Sequence, residues 1–353
     1  MDRTLDFLKN LVEAHGAPGF EGDVVPVMER YLKGVGKFSR DNLGSFLCEK
    51  GGAAGPRVMM MGHLDEVAFM VKSVTKDGFV KFLPLGGWWG HVVLGQRLIV
   101  KTRKGDVIGV VGSKPPHELR EDDRKKVIEI KDMFIDVGAA SGWDVKKQLD
   151  IRPGDPIIPD SHFTVMANPD LLLAKAWDNR IGCALAAETA KRLVGVAHPN
   201  TLIAGATVQE EVGLRGAQTS VFKVQPDVAF ALDVGIAHDT PGTEGDEKLG
   251  GGPLVVVYDA TSIPNRGLLD LVVDTAKKLK MPLQFESVER GGTDAGRFHV
   301  SGQGVPSLSM GVAARYIHSH VSIIDRRDFE NTVKLLVAVV KRLDRKTVNG
   351  LAR

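Results

Sequence analysis

Cysteine is nearly absent from this 353-residue chain: Cys48 and Cys183 are the only two, far apart and without metal-type spacing. That excludes a disulfide framework and a cysteine-built metal site, and it points to a reducing compartment, the cytoplasm. No stretch approaches the roughly 20 apolar residues that a spanning helix needs. Met1-Asp2-Arg3-Thr4-Leu5 runs straight into an amphipathic pattern without an apolar targeting core. No membrane partner is expected. A charge excess is missing too: the formal net charge is +2 with acids and bases interspersed, which makes nucleic acid a poor partner. There is no Gly-x-Ser-x-Gly elbow and no Gly-x-x-x-x-Gly-Lys-Ser/Thr loop, so a serine hydrolase and a nucleotide-driven function are disfavoured. Internal repeats and low-complexity segments are also lacking.

What is present is the makeup of an ordinary globular protein, 43% hydrophobic and 25% charged, long enough for about two domains. Leu5, Leu8, Leu11 and Val12 predict a helix over residues 3–14, and a second helical run follows over 21–33 after the turn Ala17-Pro18-Gly19. Val58-Met59-Met60-Met61 reads as a buried strand that ends in Gly62-His63-Leu64-Asp65-Glu66. From about 70 to 165 the texture changes to short β-rich runs, at 79–82, 97–102 and 107–111, separated by Gly, Pro and charge clusters. The mixed-charge run 118–126 within it reads as a solvated face. Strands then alternate with helices: strands at 171–174, 201–207, 228–232, 254–258 and 307–310, helices at 179–193, 267–279 and 327–343. The expected class is α/β: a mixed, mostly parallel sheet sandwiched by helices, formed by residues 1–69 and 166–353. A small β-rich, barrel-like domain at 70–165 interrupts it.

Several of these strands end in a carboxylate or an imidazole: His63 and Asp65, then Asp178, Glu210 and Glu211, Asp233, and His318. In open α/β sheets ligands bind beyond the carboxyl ends of strands, so residues distant in sequence can meet in one crevice. Imidazole and carboxylate together suit a pair of divalent ions, and such a pair needs a carboxylate that can bridge it. A water activated by two ions would be the nucleophile, with a spare carboxylate to handle protons. Taken singly, each residue has a plainer explanation. A lone histidine is more often a hydrogen-bonded core or surface residue, Asp178-Asn179 could be a helix cap, and Glu210-Glu211 could be an exposed turn. Two points favour the site. His63 and Asp65 share one face of an extended segment, where the acid can orient the ring. Asp233 puts a charge directly after the apolar run 228–232.

At this point the chain resembles the TET-type (tetrahedral) metallo-aminopeptidases, a family also described as deblocking or glutamyl aminopeptidases and sometimes as endoglucanases. The matching segments are Gly62-His63-Leu64-Asp65-Glu66-Val67, Ala176-Trp177-Asp178-Asn179-Arg180, Gln209-Glu210-Glu211-Val212-Gly213-Leu214-Arg215-Gly216-Ala217, Leu232-Asp233, Gly291-Gly292-Thr293-Asp294 and Tyr316-Ile317-His318-Ser319. The resemblance implies a zinc-peptidase-like fold with an inserted oligomerisation domain, and peptide substrates cut at their N-termini. It implies two divalent ions per subunit, zinc or cobalt: one on His63, Asp178 and Asp233, the other on Asp178, Glu211 and His318, with Asp178 bridging. Glu210 would be the general base and Asp65 would orient His63. The implied assembly is a homo-oligomer, a dodecameric tetrahedron or, failing that, a dimer. The chain departs from the family pattern after His318-Ser319, where it carries His320 and Ser322; His320 therefore competes with His318 for the metal, and His318 is preferred.

Three rival functions remain to be weighed. A glycosidase would use two carboxyls flanking one bond and has no use for two histidines and a bridging aspartate. A catalytically silent shell has no reason to keep clustered acids. A deacylase or carboxypeptidase on the same dinuclear scaffold would differ in which end of a peptide must be free. Asp294, in its Gly-rich loop, reads equally as a substrate-positioning group or as turn chemistry.

Overall fold

The computed structural model describes residues 2–51 and 55–351. Its architecture follows from the strand Arg57–His63, which is apolar on both faces because both are covered. Val58 and Met60 pack into the large core with the helices Arg3–Glu13, Val25–Leu32, Trp177–Arg192, Arg266–Lys278 and Arg326–Val340. Met59 and Met61 point the other way, into a smaller core under Arg215–Val224 and Ala295–Phe298. A period of two thus distributes one apolar run between two helical layers.

Among the described residues the main sheet has eleven strands. Four lie parallel at its centre, in the order Thr201–Thr207, Arg57–His63, Val228–Ile236 and Ser307–Arg315. Antiparallel strands extend both sides: Phe46–Lys50 and Lys37–Arg40 on one, and Ser322–Asp325, Leu171–Ala174 and Thr164–Val165 on the other. Leu254–Tyr258 and Gln284–Ser287 branch from Ser307–Arg315. The result is a mixed sheet covered by helices, with parallel pairing concentrated at the centre and antiparallel pairing toward the edges. Because the four central strands run in one direction, their carboxyl ends open on one edge.

The helical run at 21–33 is divided. Glu21–Asp23 is a 3-10 turn and the α-helix is Val25–Leu32, with Pro26 in its first turn, where the missing N–H has no partner to lose. Between Ala68 and Pro159 six strands close into an antiparallel barrel in the order Ala68–Val74, Phe79–Leu85, Phe134–Asp136, Gly105–Gly112, Arg97–Thr102 and Pro156–Pro159. Phe69, Val80, Phe82, Leu98, Val100 and Ile135 fill it. Closure removes the sheet edges that so small a β-domain would otherwise leave open. The charged run at 118–126 holds the end of the 3-10 helix Pro116–Glu118 and the short helix Glu121–Arg124, and its described side chains are mostly exposed.

Candidate metal centre

Two glycines let the helix Trp177–Arg192 lie directly on the sheet. A Cβ on Gly62 would sit 2.3 Å from the Cys183 nitrogen, and one on Gly182 would sit 2.0 Å from the Leu232 carbonyl oxygen. Only glycine permits such a backbone approach. It brings the kinked entry to the helix, where Asp178 and Asn179 are not helical, up to His63 at its strand's end and to Asp233 within Val228–Ile236. Asn179 fixes that entry: its amide donates to the Leu232 carbonyl at 2.8 Å, and its oxygen accepts from the Gly182 N–H at 3.0 Å. His318 enters from the loop after Ser307–Arg315, with φ at 57°, a left-handed conformation uncommon outside glycine.

The six side chains His63, Asp178, Glu210, Glu211, Asp233 and His318 line one cavity of about 520 Å³. Asp178 offers one oxygen to each histidine: His63 Nε2 lies 3.2 Å from Oδ1, and His318 Nε2 lies 3.3 Å from Oδ2. Glu210 Oε2 is 3.7 Å from His63 Nε2, and Glu211 Oε2 is 3.6 Å from His318 Nε2. Asp65 stands behind the cavity and is fully buried. Its two oxygens accept the backbone N–H groups of Glu210 and Glu211, each at 3.0 Å, and Oδ1 lies 3.5 Å from His63 Nδ1. The carboxylate therefore holds the glutamate pair, while the His63 ring nitrogen Nδ1 meets the Asp65 backbone carbonyl at 3.1 Å.

The electrostatics are those of a site short of cations. Burial pushes Glu211 up to about 8, with Asp178 adding to it, and burial pushes Glu210 and Asp233 well above the usual carboxylate range. Burial alone would lower His63, but Glu210, Asp178 and Asp65 overrule it and hold the imidazole well above its ordinary value. His318 is likewise lifted to about 9 against its burial, chiefly by Asp178. Acids that resist ionising beside imidazoles that resist losing a proton are what a divalent ion would relieve. The donors are placed for it: ligand atoms of His63, Glu210 and Asp233, and of His63, Asp178 and Glu211, lie within 4.8 Å of one another. Glu211 Oε1 is buried without a hydrogen-bond partner among the described residues. The residues present fit metal ions.

The remaining residues singled out in the sequence lie nearby. Asp294 is buried under the cluster, where it accepts the Thr207 hydroxyl, and burial lifts it to about 6. His320 does not face the cluster. It packs edge-on against Trp88 at 5.3 Å, both ring nitrogens lack hydrogen-bond partners among the described residues, and burial lowers it to about 4. Two features escaped the sequence. Glu66 is buried between Lys175, at 2.5 Å, and Arg180, at 3.2 Å, and Arg180 also holds the carbonyls of Leu11 and Ala14, which ties the first helix to the site. Glu21 accepts the N–H of Gln209 at 3.0 Å, next to the glutamate pair. Glu66 and Arg180 fall within the family-like segments, which was a usable signal; Glu21 carries none.

Residues 44–335 match the family model described as M42 glutamyl aminopeptidase. The glutamyl aminopeptidase of Lactococcus lactis subsp. cremoris is 39% identical over 348 residues, which is 97% of each chain. Among solved structures, the TET aminopeptidase from the marine sediment archaeon Thaumarchaeota archaeon SCGC AB-539-E09 aligns with a TM-score of 0.97 at 45% identity, covering 99% of this chain and 100% of that one. The Pyrococcus horikoshii TET1 peptidase, which can assemble into a tetrahedron or a large octahedral shell, aligns with a TM-score of 0.87 at 32% identity, covering 96% and 100%.

Proposed function

The chain belongs to the M42 glutamyl aminopeptidase family, and from that premise we propose that it is a dinuclear metallo-aminopeptidase with Glu210 as its general base. The observation that carries the dinuclear part is the Asp178 carboxylate, which turns one oxygen to His63 and the other to His318. His63, Asp178 and Asp233 would hold one ion, and Asp178, Glu211 and His318 the other. When bound, two divalent ions, zinc or cobalt, supply Lewis acidity that activates water and polarises the scissile carbonyl.

The chain's own residues do the rest. Glu210 lines the cavity beside the ligand set and is not needed as a ligand in this scheme. It takes the proton of the attacking water and returns it to the leaving amine, one residue serving as base and then acid. Asp65 keeps Glu210 and Glu211 in place through their backbone amides, so the proton acceptor and its neighbouring ligand move as one unit. The acid-rich end of the cavity suits the cationic α-amine of a peptide, which a blocked peptide lacks.

No helix among the described residues is long and apolar enough to cross a membrane. Cys48 and Cys183 are free and buried, which supports a cytoplasmic location. The tetrahedral or octahedral assembly of the Pyrococcus horikoshii peptidase supports a homo-oligomer here as well, with the barrel as the assembly module.

The activity is tested by measuring release of free amino acids from short peptides with free, N-acetylated or C-amidated ends, before and after chelation. Metal-dependent release from the N-terminus of free and C-amidated peptides, with none from the N-acetylated set, is the expected result. Release from the C-terminus, or removal of the acetyl group, would move the assignment to a carboxypeptidase or a deacylase.

A further inference from the structure

The cavity has a second end that the proposed chemistry does not use. Away from the metal cluster its wall is made by Gly235, Ile236, Val256, Glu286, Val288 and Ile317. An aminopeptidase that holds the α-amine at the cluster must put the first side chain of its substrate into the space left beside it. Two buried acids line it beside the apolar groups: Asp259, whose oxygens are taken by Thr261, Ser262 and Thr293, and Glu286, which keeps one oxygen spare. Glu286, from the strand Gln284–Ser287, is 4% exposed. Its Oε1 accepts the Ile236 N–H at 2.8 Å, and no described residue donates to Oε2. A Cβ on Gly235 would come within 2.2 Å of that free oxygen, so the glycine leaves the carboxylate its place in the wall.

Resting on the aminopeptidase reading above, we propose that Glu286 sets a preference for a basic first residue, lysine or arginine. The aliphatic stem lies along Ile236, Val256 and Val288, and the cation meets Oε2. Long basic side chains bury their methylenes and pair their charged heads in this way. A buried acid with one oxygen left without a donor is costly, and burial pushes the Glu286 carboxyl up to about 7, the Ile236 N–H and His238 opposing and Glu247 adding to the rise. A substrate cation removes that cost, whereas a glutamyl side chain would set two acids against each other. Arg290 also lines the cavity and would favour the opposite charge, but it is exposed. A charge in water is screened far more than one in a buried wall, so Glu286 outweighs it.

The test compares kcat/KM of the metal-loaded protein on coumarin amides of lysine, arginine, leucine, glutamate and Nε-acetyl-lysine. Lysyl and arginyl substrates should exceed the glutamyl and Nε-acetyl-lysyl ones by roughly tenfold to a hundredfold, the worth of a hydrogen bond to a charged group. Glu286→Gln, which keeps the size of the side chain and its acceptor for Ile236, should lower the lysyl-to-leucyl ratio by a similar factor. Should the variant fail to fold, the comparison of lysine with its acetylated form in the unaltered protein still decides. Faster cleavage of glutamyl or leucyl substrates, or an unchanged ratio in the variant, overturns the role of Glu286 and leaves the aminopeptidase intact. Cleavage of none of the five substrates overturns both.

Discussion

In the inserted region Arg97 holds Asp160 at 2.7 Å and Arg152 holds Asp150 at 2.6 Å, each with its guanidinium largely in solvent. At the carboxyl edge of the central sheet, Glu210, Asp233 and Asp294 lie buried as neighbours, and the cations that face them are imidazoles. The first arrangement satisfies each charge locally. The second concentrates like charge where water cannot screen it, and a fold gains nothing in stability from that. The barrel is organised to hold a shape, the sheet edge to hold something that the chain itself does not supply.

That contrast can be broken or sharpened by substitution. Glu210→Gln should lower kcat on a free-amine peptide by about 10²- to 10⁴-fold, the usual worth of general-base catalysis. Because burial already resists ionisation of Glu210, the melting temperature of the metal-free protein should be retained; a fall in melting temperature would make Glu210 structural. Ile135→Ala, in the barrel core, should do the reverse. It should cost about 2–5 kcal/mol in chemical denaturation while kcat per folded molecule stays as it was.

Asp65→Asn comes next in size. Loss of the buried carboxylate that holds the Glu210 and Glu211 amides should weaken activity or metal affinity by roughly 10- to 100-fold, read by competition with a chromophoric chelator. An effect confined to stability would remove Asp65 from the site's machinery. The smallest effect belongs to Arg152→Ala, whose solvent-exposed guanidinium pairs with the mostly buried Asp150 and should contribute no more than about 1 kcal/mol to unfolding. A loss as large as that of Ile135→Ala would mean that the barrel, too, depends on its charges.

The same contrast governs what the sequence discloses. The central strands are legible because burial on both faces produces uninterrupted apolar runs such as 58–61 and 228–232, and a charge at the end of such a run stands out. The edge hairpin of Lys37–Arg40 and Phe46–Lys50 leaves no such mark, because its first strand is mostly polar and exposed. His63, Asp178, Glu210, Glu211, Asp233 and His318 could be singled out from where their segments fall. Their mutual distances could not, since these depend on how closely Gly62 and Gly182 let a helix approach the sheet. Glu286 was invisible for a related reason: in sequence it is one acid in a short alternating strand. Only the fold turns it toward the cavity.

The central claim is tested most directly by titrating zinc into metal-free protein and following release of the N-terminal residue from a free-amine peptide. The account predicts no release without metal and a plateau at two equivalents per subunit. Full activity in the metal-free protein, or a plateau at one equivalent, would contradict it.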